Sequence, residues 1–204
     1  MSATAVVTGP DGIPRCAWAA STADYVAYHD DEWGVPLHGE RELFERLTLE
    51  AFQSGLSWLT ILRKREGFRA AFAGFDPDVV AAFDAGDRAR LLADTGIVRN
   101  VRKVDAAIRN AQAVVDLRDD GGLDALVWAH APAHHDRPQG MGDVRATSPE
   151  SVALTKALKA RGFVFLGPTT MYAAMQACGL VDDHLAGCHR AGGQQARPAA
   201  PEPR

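Results

Sequence analysis

Two cysteine and histidine pairs stand near opposite ends of the 204-residue chain: Cys16 and His29, spaced C-x12-H, and His184 and Cys188, spaced H-x3-C. Thiolate sulfur and imidazole nitrogen are donors of tetrahedral metal sites, and a His and a Cys four residues apart share one side of a helix, so each pair offers two ligands of one ion. Together they make a Cys2His2 set. A shell closed by protein ligands alone leaves no position for water, so such an ion would hold structure and tie the ends of the domain together. Each pair also has a plainer reading, a buried cysteine acting as a small hydrophobe beside a hydrogen-bonded or solvated histidine. Cys178 is left over, as a helix residue in an apolar stripe would be, and His189, His130, His134 and His135 read as rival ligands or solvent-facing residues.

A second group lies in CAWAASTADYVAYHDDEWG, where Trp18, Tyr25, Tyr28 and Trp33 are four of the chain's seven Trp and Tyr residues. Core packing would account for rings of this size. In the next segment Leu43, Leu47, Glu50, Ser54 and Trp58 follow at steps of four, three, four and four, which puts a carboxylate into an apolar helical stripe on the same face as an indole. A charge placed there needs a partner. Either an arginine such as Arg46 or Arg63 closes a salt bridge with it, or Glu50 is the acid of a pocket walled by π faces. Such a pocket suits a flat, electron-poor or cationic ring with an amino group, because the rings attract the cation and the carboxylate accepts a hydrogen bond.

The stretch LLADTGIVRNVRKVDAAI joins two amphipathic segments through a turn at Gly96. In a helix-hairpin-helix the Gly-containing loop and the start of the second helix offer backbone N–H groups to phosphate oxygens, and Arg99, Arg102 and Lys103 would add positive charge there. A plain αα-hairpin with a solvated basic face gives the same pattern. LRKRE at 62–66 and KALKARG at 156–162 are further basic clusters, fit to flank the same groove or to face solvent.

The elements that must position these groups read as helices almost throughout. ERELFERLTLEAFQSGLSW repeats apolar residues at three and four, FDPDVVAAF opens with an Asp cap before Pro, and NVRKVDAAIRNAQAVVDL puts Val101, Val104, Ile108, Ala111 and Val115 on one face. Ser148 and Gly162 bound another helix, and Gly179 ends a further one. No strand alternation stands out, so the expected class is all-α. AHAPAHHDRPQGMGDVRAT reads as a long loop, and residues 1–14 and 191–204 read as disordered tails. The chain is 47% hydrophobic and 24% charged, enough for one core or two small lobes. Its net charge of −4 gives no global footprint for nucleic acid, so any DNA contact must be local. Three widely spaced cysteines argue against a disulfide framework. No apolar run approaches the roughly 20 residues of a membrane span, and the first residues lack a signal peptide's basic and apolar regions, so the expectation is a cytoplasmic protein with no membrane partner.

Taken together, RCAWA…DYVAYHDDEWGVP, LTLEAFQSGLSWLTILRKRE, FDPDVVAAF, DTGIVRN and ALKARGFVFLGPTTMYAAMQACGLVDDH, followed by Cys188, resemble the bacterial DNA-3-methyladenine glycosylase I family. The resemblance spans residues 15–190, with the motifs in the family's order and spacing. It implies a helix-hairpin-helix DNA glycosylase fold of two helical lobes, with the hairpin at about 88–116. It also implies one structural zinc joining the N- and C-terminal segments through Cys16, His29, His184 and Cys188. Glu50 then falls on the base-recognising, catalytic carboxylate, and Trp18, Tyr28 and Trp58 on the base pocket, with Trp33 matching a further family aromatic. The implied activity is release of 3-methyladenine from alkylated double-stranded DNA.

A mechanism follows from the residues. The base must leave the stack before a pocket can enclose it, and methylation at N3 gives it a positive charge and a weakened glycosidic bond. Glu50 would accept a hydrogen bond from the exocyclic amine while the rings stack on the cation, and water would attack the oxocarbenium-like sugar. Many helix-hairpin-helix relatives use an Asp downstream of the hairpin, where Asp116 stands, but the resembled family dispenses with it. No lysine stands out as a nucleophile, so the expected enzyme is monofunctional and leaves an abasic site; separately, a monomer is expected. The competing readings are a zinc-dependent hydrolase with an open coordination position and a non-catalytic, zinc-stapled module that binds damaged DNA.

Overall fold

A computed structural model describes residues 5–192, so the expected tails fall outside the described residues at 1–4 and 193–204. The chain runs through α1 (Ala23–Asp31), α2 (Glu40–Gln53), α3 (Trp58–Ala71), α4 (Pro77–Ala81), α5 (Ala85–Ala93), α6 (Val101–Asp116), α7 (Gly122–Trp128), α8 (Pro149–Ala160) and α9 (Pro168–Ala177), as the mainly helical reading required. Helix starts follow from local chemistry. Asp76 accepts from the amides of Asp78 and Val79 with Pro77 opening α4, and Ser148 accepts from the Ser151 amide ahead of α8. These side-chain oxygens satisfy N–H groups that a helix start leaves without a partner.

The all-α expectation needs one correction. Val6–Thr8 (β1) and Pro14–Cys16 (β2) pair antiparallel, with Val6 opposite Cys16 and Thr8 opposite Pro14. Residues 5–14 are therefore part of a hairpin and not of a tail. Its turn closes locally, with the Ile13 amide on Asp11 Oδ1 at 3.1 Å and the Gly9 amide on Ile13 O at 3.0 Å. Strands of three residues are too short to show alternation in a sequence.

Helix α2 packs against α3, α6, α7 and α9. That central place explains why Leu43, Phe44, Leu47, Leu49 and Phe52, spread around its circumference, are all buried. The apolar stripe does not run on to Trp58 in one helix, as the spacing suggested. Gly55, at φ 80°, turns the chain through the left-handed region that favours glycine. Ser57 then accepts from the Thr60 amide and starts α3 at Trp58. On α6 the buried stripe runs through Val104, Ala107, Ala111 and Val114, while Val101 is exposed and Ile108 and Val115 are half-buried. The loop after α9 returns to the first hairpin, where the His189 amide donates to Pro14 O at 2.8 Å. No helix among the described residues is long and apolar enough to cross a membrane.

Candidate functional site

The segment before α1, the end of α2, the start of α3 and the loop after α9 enclose a cavity of about 250 Å³. Trp18, Tyr28, Trp33, Glu50 and Trp58 all line it. The rings brace one another: Trp18 meets Tyr25 edge-on at 5.6 Å and Trp33 edge-on at 5.1 Å, and Tyr28 and Trp58 lie 5.3 Å apart. The Tyr25 hydroxyl accepts from the Leu59 amide at 3.0 Å, which ties α1 to α3. Trp58 Nε1 is buried without a hydrogen-bond partner among the described residues, a donor that an occupant of the cavity can use.

Glu50 is buried, and neither expected arginine closes a salt bridge with it. Arg63 pairs with Asp24 at 2.8 Å. Arg46 donates to the Tyr28 hydroxyl at 2.9 Å and reaches Glu32 at 3.7 Å. Burial pushes the Glu50 carboxyl up to about 7, with the nearby Arg46 charge opposing the shift. A carboxyl with no fixed donor among the described residues, set among π faces, is prepared to accept from a ligand's N–H and to attract positive charge.

Tyr25, of the aromatic group, also lines the cavity, and several lining residues were not singled out by the sequence: Gln53, Met141, Val144, Gln176 and Asp183. Gln53 follows Glu50 by three residues, and helical spacing could have found it. Met141 and Val144 come from the His-rich loop, and Asp183 is the residue before His184. The Asp183 carboxylate accepts from Tyr172 at 2.9 Å and Gln176 at 2.6 Å, and His135 Nε2 lies 2.7 Å away. His135 is thus turned inward and is not the solvent-facing residue it was expected to be. His134 does face solvent.

Beside the cavity, Cys16, His29 and Cys188 are buried with their ligand atoms within 4.8 Å of one another. Cys188 Sγ stands 3.4 Å from His29 Nε2, and Cys16 Sγ accepts from the Leu185 amide. His184 lies outside that spacing but borders it, its ring edge-on to His29 at 5.0 Å. The four-residue step from His184 to Cys188 is not a helical turn; it runs through loop and turn, with Gly187 at φ 88°. His29 Nδ1 is held at 2.8 Å from Asp30 and His184 Nδ1 at 3.0 Å from Asp182. Those carboxylates fix the tautomer and leave each Nε2 lone pair for a metal. His184 Nε2 is buried and has no hydrogen-bond partner among the described residues, which fits a missing ligand bond. The neighbouring Cys16 thiol and the contact with His29 pull the Cys188 thiol down, while the neighbouring Cys188 and burial push Cys16 up. This cluster has the donor set to hold a metal ion.

At the hairpin, α5 and α6 meet around Gly96, whose amide is already taken by Asp94 Oδ1 at 2.6 Å. Arg99 and Arg102 are exposed beside the start of α6, where Asn100 caps the Lys103 amide. Lys103 does not join them. Its side chain is buried, and Nζ donates to Phe52 O at 2.7 Å and Ser54 O at 2.6 Å. The reading of Lys103 as a phosphate contact is corrected accordingly, because the ammonium is committed to carbonyls at the end of α2. Asp116 is exposed at the end of α6 and does not line the cavity.

The family model described as methyladenine glycosylase matches residues 18–191. The chain belongs to this family. The chain of this methyladenine glycosylase is 45% identical over 177 residues to DNA-3-methyladenine glycosylase 1 of Escherichia coli (strain K12), covering 85% of this chain and 95% of that protein. A crystal structure of 3-methyladenine DNA glycosylase I superimposes with a TM-score of 0.82 at 45% identity, over 86% of this chain and 98% of the other. A variant of such an enzyme, solved in complex with 3-methyladenine, also gives 0.82 at 34% identity, over 87% and 97% of the two chains.

Proposed function

We propose that this methyladenine glycosylase releases 3-methyladenine from alkylated double-stranded DNA and leaves an abasic site. One observation carries the reading: Glu50, a buried carboxyl with no fixed donor among the described residues, lies in an aromatic cavity among Trp18, Tyr28, Trp33 and Trp58. The base swings out of the stack into this cavity. Glu50 accepts from its exocyclic amine, and the π faces stabilise its positive charge. Because the cationic base is already a good leaving group, the residues work by selecting and holding it while water adds to the sugar. Asp116 takes no part.

We further infer that Cys16, His29, His184 and Cys188 hold one zinc ion, which when bound supplies a structural link between the two ends of the domain. Trp33 supports this division of labour. Its ring lies against His29 and, at 4.6 Å, His184 while also lining the cavity, so an indole stands between the cluster and the base. That arrangement favours the glycosylase over a hydrolase that activates water on its metal. The enzyme acts as a monofunctional monomer, and Lys103 is tied to two carbonyls instead of facing the base.

The test is incubation with methylated duplex DNA and chromatography of the released bases. Free 3-methyladenine should appear together with alkali-labile abasic sites. No release at large enzyme excess would leave only the damage-binding alternative.

A further inference from the structure

Lys103 is a cation buried where the hairpin meets the base pocket. It belongs to the first turn of α6, the turn flanked by exposed Arg99 and Arg102. Its Nζ crosses to the end of α2 and donates to Phe52 O at 2.7 Å and Ser54 O at 2.6 Å. Those carbonyls sit at the last turn of a helix, which leaves its final C=O groups without intrahelical donors and carries partial negative charge. A lysine ammonium with rotatable donors suits two carbonyls that diverge from a helix end.

The carbonyls also have a particular place. Phe52 is two residues after Glu50, and Ser54 opens the four-residue loop 54–57 that leads to Trp58. One side chain therefore pins the junction between the pocket acid's helix and the pocket indole's helix. A second seat holds the hairpin itself to α3. Lys64 donates to Thr95 O at 2.8 Å, and a Cβ at Gly67 would come within 2.6 Å of Gly96 O, so the turn lies directly on the α3 backbone. The hairpin is thus referenced to both helices that carry the pocket.

We propose that Lys103 is a positioning residue that sets the register between the phosphate-gripping hairpin and the base pocket, so that a base leaving a duplex held at Arg99 and Arg102 arrives at Glu50 and Trp58. This rests on the glycosylase reading above. The hairpin grips the backbone, Lys103 fixes loop 54–57 relative to that grip, and the pocket receives the base at the distance so defined. Misplacement by about 1 Å is enough to lower a rate by about a hundredfold.

The experiment compares wild type with K103M, which removes the ammonium, and K103Q, which keeps two N–H donors on a shorter, neutral stem. For each, thermal unfolding reports the fold, tryptophan fluorescence reports binding of free 3-methyladenine, and single-turnover assays report its excision from methylated duplex. K103M should keep free-base affinity within about threefold while excision at saturating enzyme falls about a hundredfold, with K103Q between it and wild type. If K103M does not fold, the same comparison is read on K103Q. Excision within about threefold of wild type in a folded variant would overturn the proposal, as would a loss of free-base affinity equal to the loss of excision. Failure of the glycosylase reading itself is separate, because wild type would then release no base.

Discussion

The Arg46 guanidinium, one helical turn before Glu50, gives an N–H to the Tyr28 hydroxyl at 2.9 Å and not to the Glu50 carboxylate. Both Tyr28 and Trp58 lie under the same guanidinium, each ring 5.4 Å from it. Arg46 thereby fixes two pocket rings at once and acts on Glu50 only through its field. The Tyr28 oxygen accepts from Arg46, so its own O–H is free to donate into the cavity.

Glu50 should make excision depend on pH. Its folded value, about 7, lies above the 4.5 of an open carboxyl. The carboxylate that accepts from the base forms as pH rises through about 7, so the single-turnover rate should rise there and flatten above it. Glu50→Gln should remove that rise and lower the plateau by about 10²- to 10³-fold. The stability sign is opposite. The folded state holds the proton more tightly than the unfolded chain, so wild type loses stability as pH climbs from 4.5 to about 7. Urea titrations of Glu50→Gln should show that loss abolished. A pH profile shared by wild type and variant would contradict the assignment.

Tyr28→Phe should weaken both fold and pocket. Removing the hydroxyl leaves the buried Arg46 Nη1–H without its acceptor, a loss of about 1–3 kcal/mol. Denaturant melts should show a lower midpoint with an unchanged slope, and free 3-methyladenine should bind more weakly. A midpoint equal to wild type would mean that water replaces the hydroxyl.

Much of this site was legible because its residues announce themselves by type. The Cys and His pairs stand out by chemistry, although the turn at Gly187, and not a helix, closes the second pair. Glu50 was visible as a charge in an apolar stripe, even though that stripe breaks at Gly55 before Trp58. Asp183 and His135 were not legible, since their contact joins positions 48 residues apart and neither breaks a local pattern. Lys103 misled for a related reason. Beside Arg99 and Arg102 it reads as one more surface cation, and only the tertiary path of α2 shows the carbonyls that draw it inward.

The Cys and His cluster predicts a metal-dependent fold. Purified protein should contain about one equivalent of zinc, and chelation should lower the unfolding midpoint before any effect on the chemistry is considered. His184→Ala should reduce retention of the ion less than Cys188→Ser, because His184 lies outside the tightly gathered trio. Elemental analysis and calorimetry measure both quantities. Undiminished folding with far less than one equivalent bound would rule out the link.

Arg99 and Arg102 should differ from Lys103 in their salt response. Both are exposed at the α6 start, so replacing either by Ala should weaken duplex binding uniformly across sequences and reduce the slope of log K against log salt by about one. Lys103→Met should leave that slope unchanged, since its charge is directed into the protein. Fluorescence anisotropy over a range of salt makes the comparison. A slope altered by the Lys103 variant would return that residue to the phosphate contacts.

The His-rich loop should matter through one histidine. A carboxylate only accepts, so His135 carries its proton on Nε2 and is one of three donors to Asp183, with Tyr172 and Gln176. His135→Ala removes one donor and leaves two, which should cost about 1–2 kcal/mol and loosen Met141 and Val144 at the cavity mouth. Asp183→Ala removes the shared acceptor and strands all three donors, so it should cost more than His135→Ala. His134→Ala should change little, because that side chain faces solvent and pairs with exposed Asp136. Calorimetry on the three variants orders the effects. Equal losses for His134 and His135 would mean that the loop acts as a solvated whole and that the inward bond at 2.7 Å carries no particular weight.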